Sequence, residues 1–240
     1  MIRLSHVTKH YGGFRAVDDL TLTVDKGSLF GFIGPNGAGK TTTIRLLAGI
    51  LVPDGGEIEI CGIRMAENPE EAKRITGFIP DRPYLYEKLT GMEFLKFTAD
   101  LYKLPPARFR HRAEKYIELF SLKDYLYDLI ESYSHGMRQR LIMAAALVHD
   151  PEVIIVDEPM VGLDPSAIRI VKKMFTDLAA AGKTIFMSTH TLQIAQEICD
   201  TIAVIHKGKI AAQGSYDSLQ RESGTTRADL EDIFLNLTGA

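Results

Sequence analysis

The chain has 240 residues, of which 45% are hydrophobic and 25% charged, with a formal net charge of −3 at pH 7. That length allows one large domain or a core carrying an inserted lobe, and the balance near neutrality argues against a protein held to nucleic acid or to an anionic membrane by its own charge. Cys61 and Cys199 are isolated and read as reduced thiols of a cytosolic protein rather than as a disulfide framework.

In chain order, IRLSHVTKHYGGFRAVDDLTLTV predicts two strands around a Gly12-Gly13 turn. SLFGFIG is a short apolar strand that enters a glycine-rich loop, and a helix is expected from Lys40 to Gly49. GGEIEICGI and ITGFIP each read as one strand. From Arg82 to Val148 the period becomes helical. Thr90 with Glu93 forms a capping-box signature, Phe94, Phe97, Leu101 and Leu104 share one helical face, and Pro105-Pro106 ends that helix before RFRHRAEKYIELF begins the next. EVIIVDEP is a continuous apolar strand ending in two carboxylates. Asp164-Pro165 opens a helix that Gly182 closes, TIFMSTH is a buried strand, TIAVIHKGKIAAQG a hairpin, and LEDIFLNLTG a helical tail. Strands alternating with helices predict an α/β fold with a mainly parallel sheet: a core of residues 1–81 and 149–220, an inserted helical lobe of residues 82–148, and a tail of residues 221–240. The amino-terminal stretch MIRLSHVTKHYGG has no apolar signal core, and no run approaches the roughly 18 apolar residues of a membrane span.

GPNGAGKT, Gly34 to Thr41, fits G-x-x-x-x-G-K-[ST] with a strand before it and a helix after it. Glycines let the backbone wrap an anion, Lys40 supplies a mobile charge for the β- and γ-phosphates, Thr41 offers a hydroxyl to Mg²⁺, and the helix start faces the phosphates. Asp157 and Glu158 end a buried strand at the edge where open α/β sheets bind ligands. One carboxylate there can hold Mg²⁺ through water and the next can polarise an attacking water. His190 ends a second strand aimed at the same edge. SYSHGMRQR, residues 132–140, is a second polar helix start, unexpected in a chain with one phosphate loop.

These motifs, in this order and over essentially the whole chain, resemble the ATP-binding cassette (ABC) ATPases, the motor subunits of ABC transporters. GPNGAGKTT resembles the Walker A loop, VIIVDEP the Walker B strand, GLDP (Gly162 to Pro165) the D-loop, His190 the switch histidine, and YSHGMRQR the family signature. The resemblance implies a P-loop fold with a RecA-like core, an antiparallel β edge and an inserted helical lobe. It implies ATP contacts at Tyr11, Val17, Gly34, Pro35, Asn36, Gly37, Ala38, Gly39, Lys40, Thr41 and Thr42, with Mg²⁺ served by Thr41, Asp81 and Asp157. Catalysis would rest on Glu158, Lys40 and His190. Two cassettes would pair head to tail, most simply as a homodimer, so that Ser134, His135, Gly136 and Met137 face the ATP of the other subunit and Asp164 bridges the two.

Two departures stand out. Tyr133 and His135 replace leucine and glycine of the common signature; the imidazole either touches nucleotide or partner or is a solvated substitution. Asp81 stands where the family places a glutamine that contacts Mg²⁺ and the attacking water, and it adds a negative charge to the site. Tyr11 either stacks on adenine or packs on the core. Tyr84, Leu85 and Tyr86 either receive a short helix of a membrane-spanning permease subunit or belong to the lobe core. The tail and the YSHGMRQR form resemble the drug, antibiotic and polysaccharide export branch. The resemblance thus implies an exporter motor, cytoplasmic and peripheral on the inner face of the cell membrane; the alternative is a soluble ABC ATPase in a non-transport role. The basic run ARFRHR reads as a solvated face rather than a nucleic-acid site.

Overall fold

The computed structural model describes residues 1–222; the helical tail expected from LEDIFLNLTG lies outside them. The elements in chain order are β1 (Ile2–Tyr11), β2 (Phe14–Val24), β3 (Leu29–Ile33), α1 (Lys40–Leu47), β4 (Gly55–Ile60), β5 (Ile63–Arg64), α2 (Pro69–Arg74), β6 (Thr76–Ile79), α3 (Gly91–Leu101), α4 (Pro106–Leu119), a 3₁₀ turn (Ile130–Ser132), α5 (His135–Leu147), β7 (Val153–Asp157), α6 (Pro165–Ala180), β8 (Thr184–Thr189), α7 (Leu192–Ile198), β9 (Thr201–His206), β10 (Lys209–Gly214) and α8 (Tyr216–Glu222).

They build two sheets. A four-stranded antiparallel sheet has the order β2-β1-β4-β5, and a six-stranded sheet the order β10-β9-β3-β8-β7-β6. In the larger sheet every pair from β9 to β6 is parallel, and β10 closes the edge antiparallel. Both faces of its middle strands are covered, which is why β3, β7 and β8 are unbroken apolar runs without alternation. Ile154 and Val156 pack with the helices around α3–α6. Val153 and Ile155 pack on the other face with α1 and the antiparallel sheet, beside the Phe30–Phe186–Phe32 ring cluster.

Local chemistry explains the boundaries. The capping box at Thr90 forms, with the Thr90 side chain accepting from the Glu93 amide and the Glu93 carboxylate accepting from the Thr90 amide. GGEIEICGI is two strands rather than one. Cys61 and Gly62 both take positive φ, 50° and 85°, the geometry of a tight hairpin turn. The expected apolar face of α3 is only partly buried: Phe94 is in the core, Phe97 and Leu101 are exposed, and Leu104 falls beyond the helix end. Leu95 and Ala99 fill the core side instead. Among the described residues no helix is long and apolar enough to cross a membrane.

Candidate active site

Strand register decides what meets at the sheet edge. Ile33 pairs with Thr189, Asp157 with Ser188, and Ile79 with Val156. The carboxyl ends of β3, β8, β7 and β6 therefore lie level, and the residues just beyond them, Gly34, His190, Glu158 and Asp81, emerge together. Of these, His190, Glu158 and Asp81 line a cavity of about 670 Å³. Of the sequence-derived site residues, Tyr11, Asn36, Gly37, Gly39, Lys40, Thr41, Thr42, Asp81, His135, Asp157, Glu158 and His190 line it.

The loop from Gly34 to Gly39 needs its glycines. Gly37 and Gly39 have φ of 78° and 111°, a region that costs an L side chain roughly 1–2 kcal/mol. A Cβ on Gly39 would also collide with the Ala16 carbonyl oxygen, and one on Gly34 with that of Ile205. Gly39 is the N-cap of α1 and supplies no side-chain hydrogen bond, so the first turn of that helix offers bare amides at the cavity. Lys40 is buried and donates from Nζ to the carbonyls of Gly34 at 2.6 Å and Pro35 at 3.1 Å. Burial lowers its pKa, while the nearby Glu158 and Asp157 carboxylates oppose that shift.

The carboxylates divide by environment. Asp157 is almost fully buried, and Ser188 Oγ donates to it. Burial raises its pKa against the Ser188 hydrogen bond, and the charge of Asp81 raises it further. Glu158 follows at φ 50°, an uncommon backbone for a non-glycine residue that turns its side chain back over the strand end. Its carboxylate lies 2.9 Å from His190 Nδ1 and accepts from Thr189 Oγ1 at 3.3 Å. His190 itself stays exposed, with 61% of its side chain accessible. This pair can hold a water against an electrophile and bear the proton that water gives up.

Oxygen donors at Thr41, Asp81 and Asp157 on one cavity wall are the hard ligands that suit Mg²⁺, and the Asp81–Asp157 repulsion is relieved by a cation. Among the described residues no group of three or more His, Cys, Asp or Glu is arranged to hold a metal alone, so these oxygens fit an ion that also takes ligands from phosphate and water.

Several expectations are displaced. Val17 is fully buried and does not line the cavity; Ala16 does. Register shifts in the β1–β2 pair break the alternation, so Ala16 and Val17 are both inward and only Ala16 reaches the loop. Gly34, Pro35 and Ala38 shape the loop from behind the lining. Ser134, Gly136, Met137 and Asp164 lie off the cavity: Ser134 caps α5 by accepting from the Met137 amide at 3.3 Å, and Asp164 caps α6 by accepting from the Ala167 amide at 2.9 Å. Phe14, Arg82 and Val161 line the cavity unforeseen. Phe14 pairs with Tyr11 across the Gly12-Gly13 turn, and two exposed aromatics flanking a glycine turn were the signal for it.

The family described as ABC transporter matches residues 17–161. An ABC transporter ATP-binding protein of Nostoc sp. is 42% identical over 85% of this chain, which spans 61% of the length of that protein. A daunorubicin resistance ATP-binding protein of Streptomyces coeruleorubidus is 37% identical over 95% of this chain and 72% of its own. The solved ATP-binding subunit of an ABC transporter superposes with a TM-score of 0.94 at 34% identity, covering 99% of both chains. A dimeric bacterial ABC transporter cassette shares the fold at a TM-score of 0.83 and 24% identity, over 90% of this chain and 98% of its own.

Proposed function

The chain belongs to the ABC transporter family of ATP-binding proteins, and from that premise we propose that it is the MgATP-hydrolysing motor of a membrane exporter, working as a head-to-tail pair of cassettes on the inner face of the membrane. The observation that carries this reading is the level ending of four strands, which delivers Lys40, Asp81, Asp157, Glu158 and His190 to one cavity.

Within that cavity Tyr11 gives an aromatic face for the base. The loop amides and the α1 start grip the phosphates, and Lys40 exchanges its loop carbonyls for β- and γ-phosphate oxygens. Thr41 and Asp157, with Asp81, would hold Mg²⁺. Mg²⁺ bound there neutralises charge on the phosphates. Glu158 orients the attacking water and takes its proton, and His190, fixed against Glu158, meets the γ-phosphate. In the head-to-tail pair the α5 start would complete the partner's site.

A second cavity of about 700 Å³ adjoins the Asp81–Arg82 segment, lined by Arg45, Phe78 and Tyr84 and sharing Thr41, Asp81, Arg82 and Asp157 with the first. Tyr84 and Tyr86 are exposed beside it, whereas Leu85 is buried and anchors the segment. A permease segment seated there would press on the metal-binding wall, which supports a coupling role for this face. The 36% identity to a Nod factor export ATP-binding protein of Ralstonia nicotianae supports export.

The test is the Glu158→Gln protein. It should bind ATP with turnover reduced by about 10²–10⁴, the usual worth of a general base. With ATP it should also retain a polytopic membrane protein from detergent-solubilised native membranes. Wild-type turnover in that variant would refute the role of Glu158; recovery of soluble partners alone would refute the transport role.

A further inference from the structure

The loop that begins at Glu158 is weakly held by its own backbone. Inside it, the Val161 amide reaches the Glu158 carbonyl and the Leu163 amide the Met160 carbonyl, both at 3.3 Å. It starts at a strained Glu158, φ 50°, and passes through Gly162 at φ 77°. Its first residue is tied to β8, through the Glu158 amide on the Ser188 carbonyl at 3.1 Å and the Glu158 carboxylate on His190, while its middle and far end lean on α5. Arg140 Nη2 donates to Asp164 Oδ2 at 2.9 Å where the loop ends. At the loop's middle the His135 ring lies against Gly162. A Cβ added there would overlap Cδ2 of the ring and sit 2.7 Å from Nε2. Gly136 closes the same contact, since a Cβ on it would lie 3.3 Å from the Gly162 carbonyl oxygen. His135 is also the one residue of the 134–137 stretch that lines the cavity with Glu158 and His190.

We propose that His135 is a positioning residue: its ring, seated on Gly162, braces the loop that carries Glu158, so that the start of α5 sets the geometry of this chain's own hydrolytic carboxylate. The contact lies within one chain, between residues 27 apart, and links the surface offered to a partner's nucleotide with the carboxylate serving its own. A glycine at position 135 would leave the loop free to drift. With the ring in place a side chain at 162 has no room, in addition to the φ of 77° that already favours glycine there. The proposal rests on the reading of Glu158 as the group that orients water.

A double-variant cycle on the full chain tests it, with steady-state turnover at saturating MgATP and the KM for ATP measured for wild type, His135→Gly, Gly162→Ala and the double variant. His135→Gly should lower kcat about tenfold with KM within about twofold, since loss of orientation falls on the chemical step. Gly162→Ala, with its methyl driven into the ring, should lose more than about a hundredfold. The double variant should regain at least about tenfold over Gly162→Ala, because contacting residues do not add. Losses that simply multiply in the double variant, or a KM that moves in step with kcat, would overturn the proposal. Should Gly162→Ala fail to fold, the cycle is read as recovery of cooperatively melting protein in the double variant, and no recovery overturns the contact. Glu158→Gln run alongside separates the two ideas: wild-type turnover there sinks the carboxylate reading, whatever the cycle shows.

Discussion

The two helix starts near the sheet edge are built in opposite ways. α1 begins at Gly39, left-handed and without a side-chain cap. α5 begins at Ser134, in extended backbone, with its hydroxyl already accepting from the Met137 amide. The first leaves its amides for a ligand and depends on that ligand to satisfy them. The second has one of its amides, that of Met137, answered by its own serine and is capped whether or not an anion arrives. A committed binding site and a conditional one thus differ by a single capping hydroxyl. On the reading proposed above, the difference suits a cassette that holds its own nucleotide firmly and its partner's only in the closed pair.

Breaking the committed start should have the largest effect. Gly39→Ala adds a methyl against the Ala16 carbonyl at φ 111° and should cost more than about 100-fold in ATP affinity by fluorescent-nucleotide titration, as binding requires the loop backbone at close approach. Ser134→Ala attacks the conditional start. It should leave ATP affinity of the isolated chain within about twofold, remove about 1 kcal/mol of stability in urea unfolding, and lower turnover about tenfold where paired cassettes are needed. Equal loss of binding in both variants would erase the distinction.

Asp81→Gln is a finer probe of the wall shared by the two cavities. It removes the neighbour that helps raise the Asp157 pKa. It should raise the Mg²⁺ needed for half-maximal turnover several-fold while turnover changes by less than about threefold; no change in either would dismiss Asp81 as a metal-site residue.

An effect on stability alone, with none on the cavity, lies just beyond the far end of α5. His149 stacks on Tyr102 at 3.6 Å between ring centres, and burial pushes its pKa down from 6.5 to about 4. Between those values the unfolded chain binds more protons than the folded one, so this contribution is present above pH 6.5 and is lost as pH falls toward 4, reaching about 3 kcal/mol. Urea unfolding at pH 7 and pH 4.5 should show a shallower decline for His149→Phe, which keeps the stack and loses the proton site. Parallel declines would remove His149 as a cause.

Much of this was legible in local pattern. The phosphate loop, the carboxylate strand and the caps at Thr90 and Asp164 depend on residues close in sequence, and each forms where its residue types require. What escaped was spatial. Val17 was misplaced because shifts of register between β1 and β2 are set by the partner strand. Phe97 and Leu101 share a period with Phe94, yet the period alone does not say which flank of the stripe meets another helix. The seat of His135 on Gly162 joins two motifs that are far apart along the chain, so neither stretch alone announces it.

Glu158 illustrates how function constrains what improvement means. Its backbone at φ 50° is a conformation glycine adopts freely and a bulky residue resists. Glycine at that position would relax the turn and remove the carboxylate in the same stroke. Directed evolution of this cassette for heat tolerance alone would therefore drift toward a sturdier, inert protein. On the reading proposed above, selection for turnover keeps an uncomfortable residue at the end of a fully buried strand.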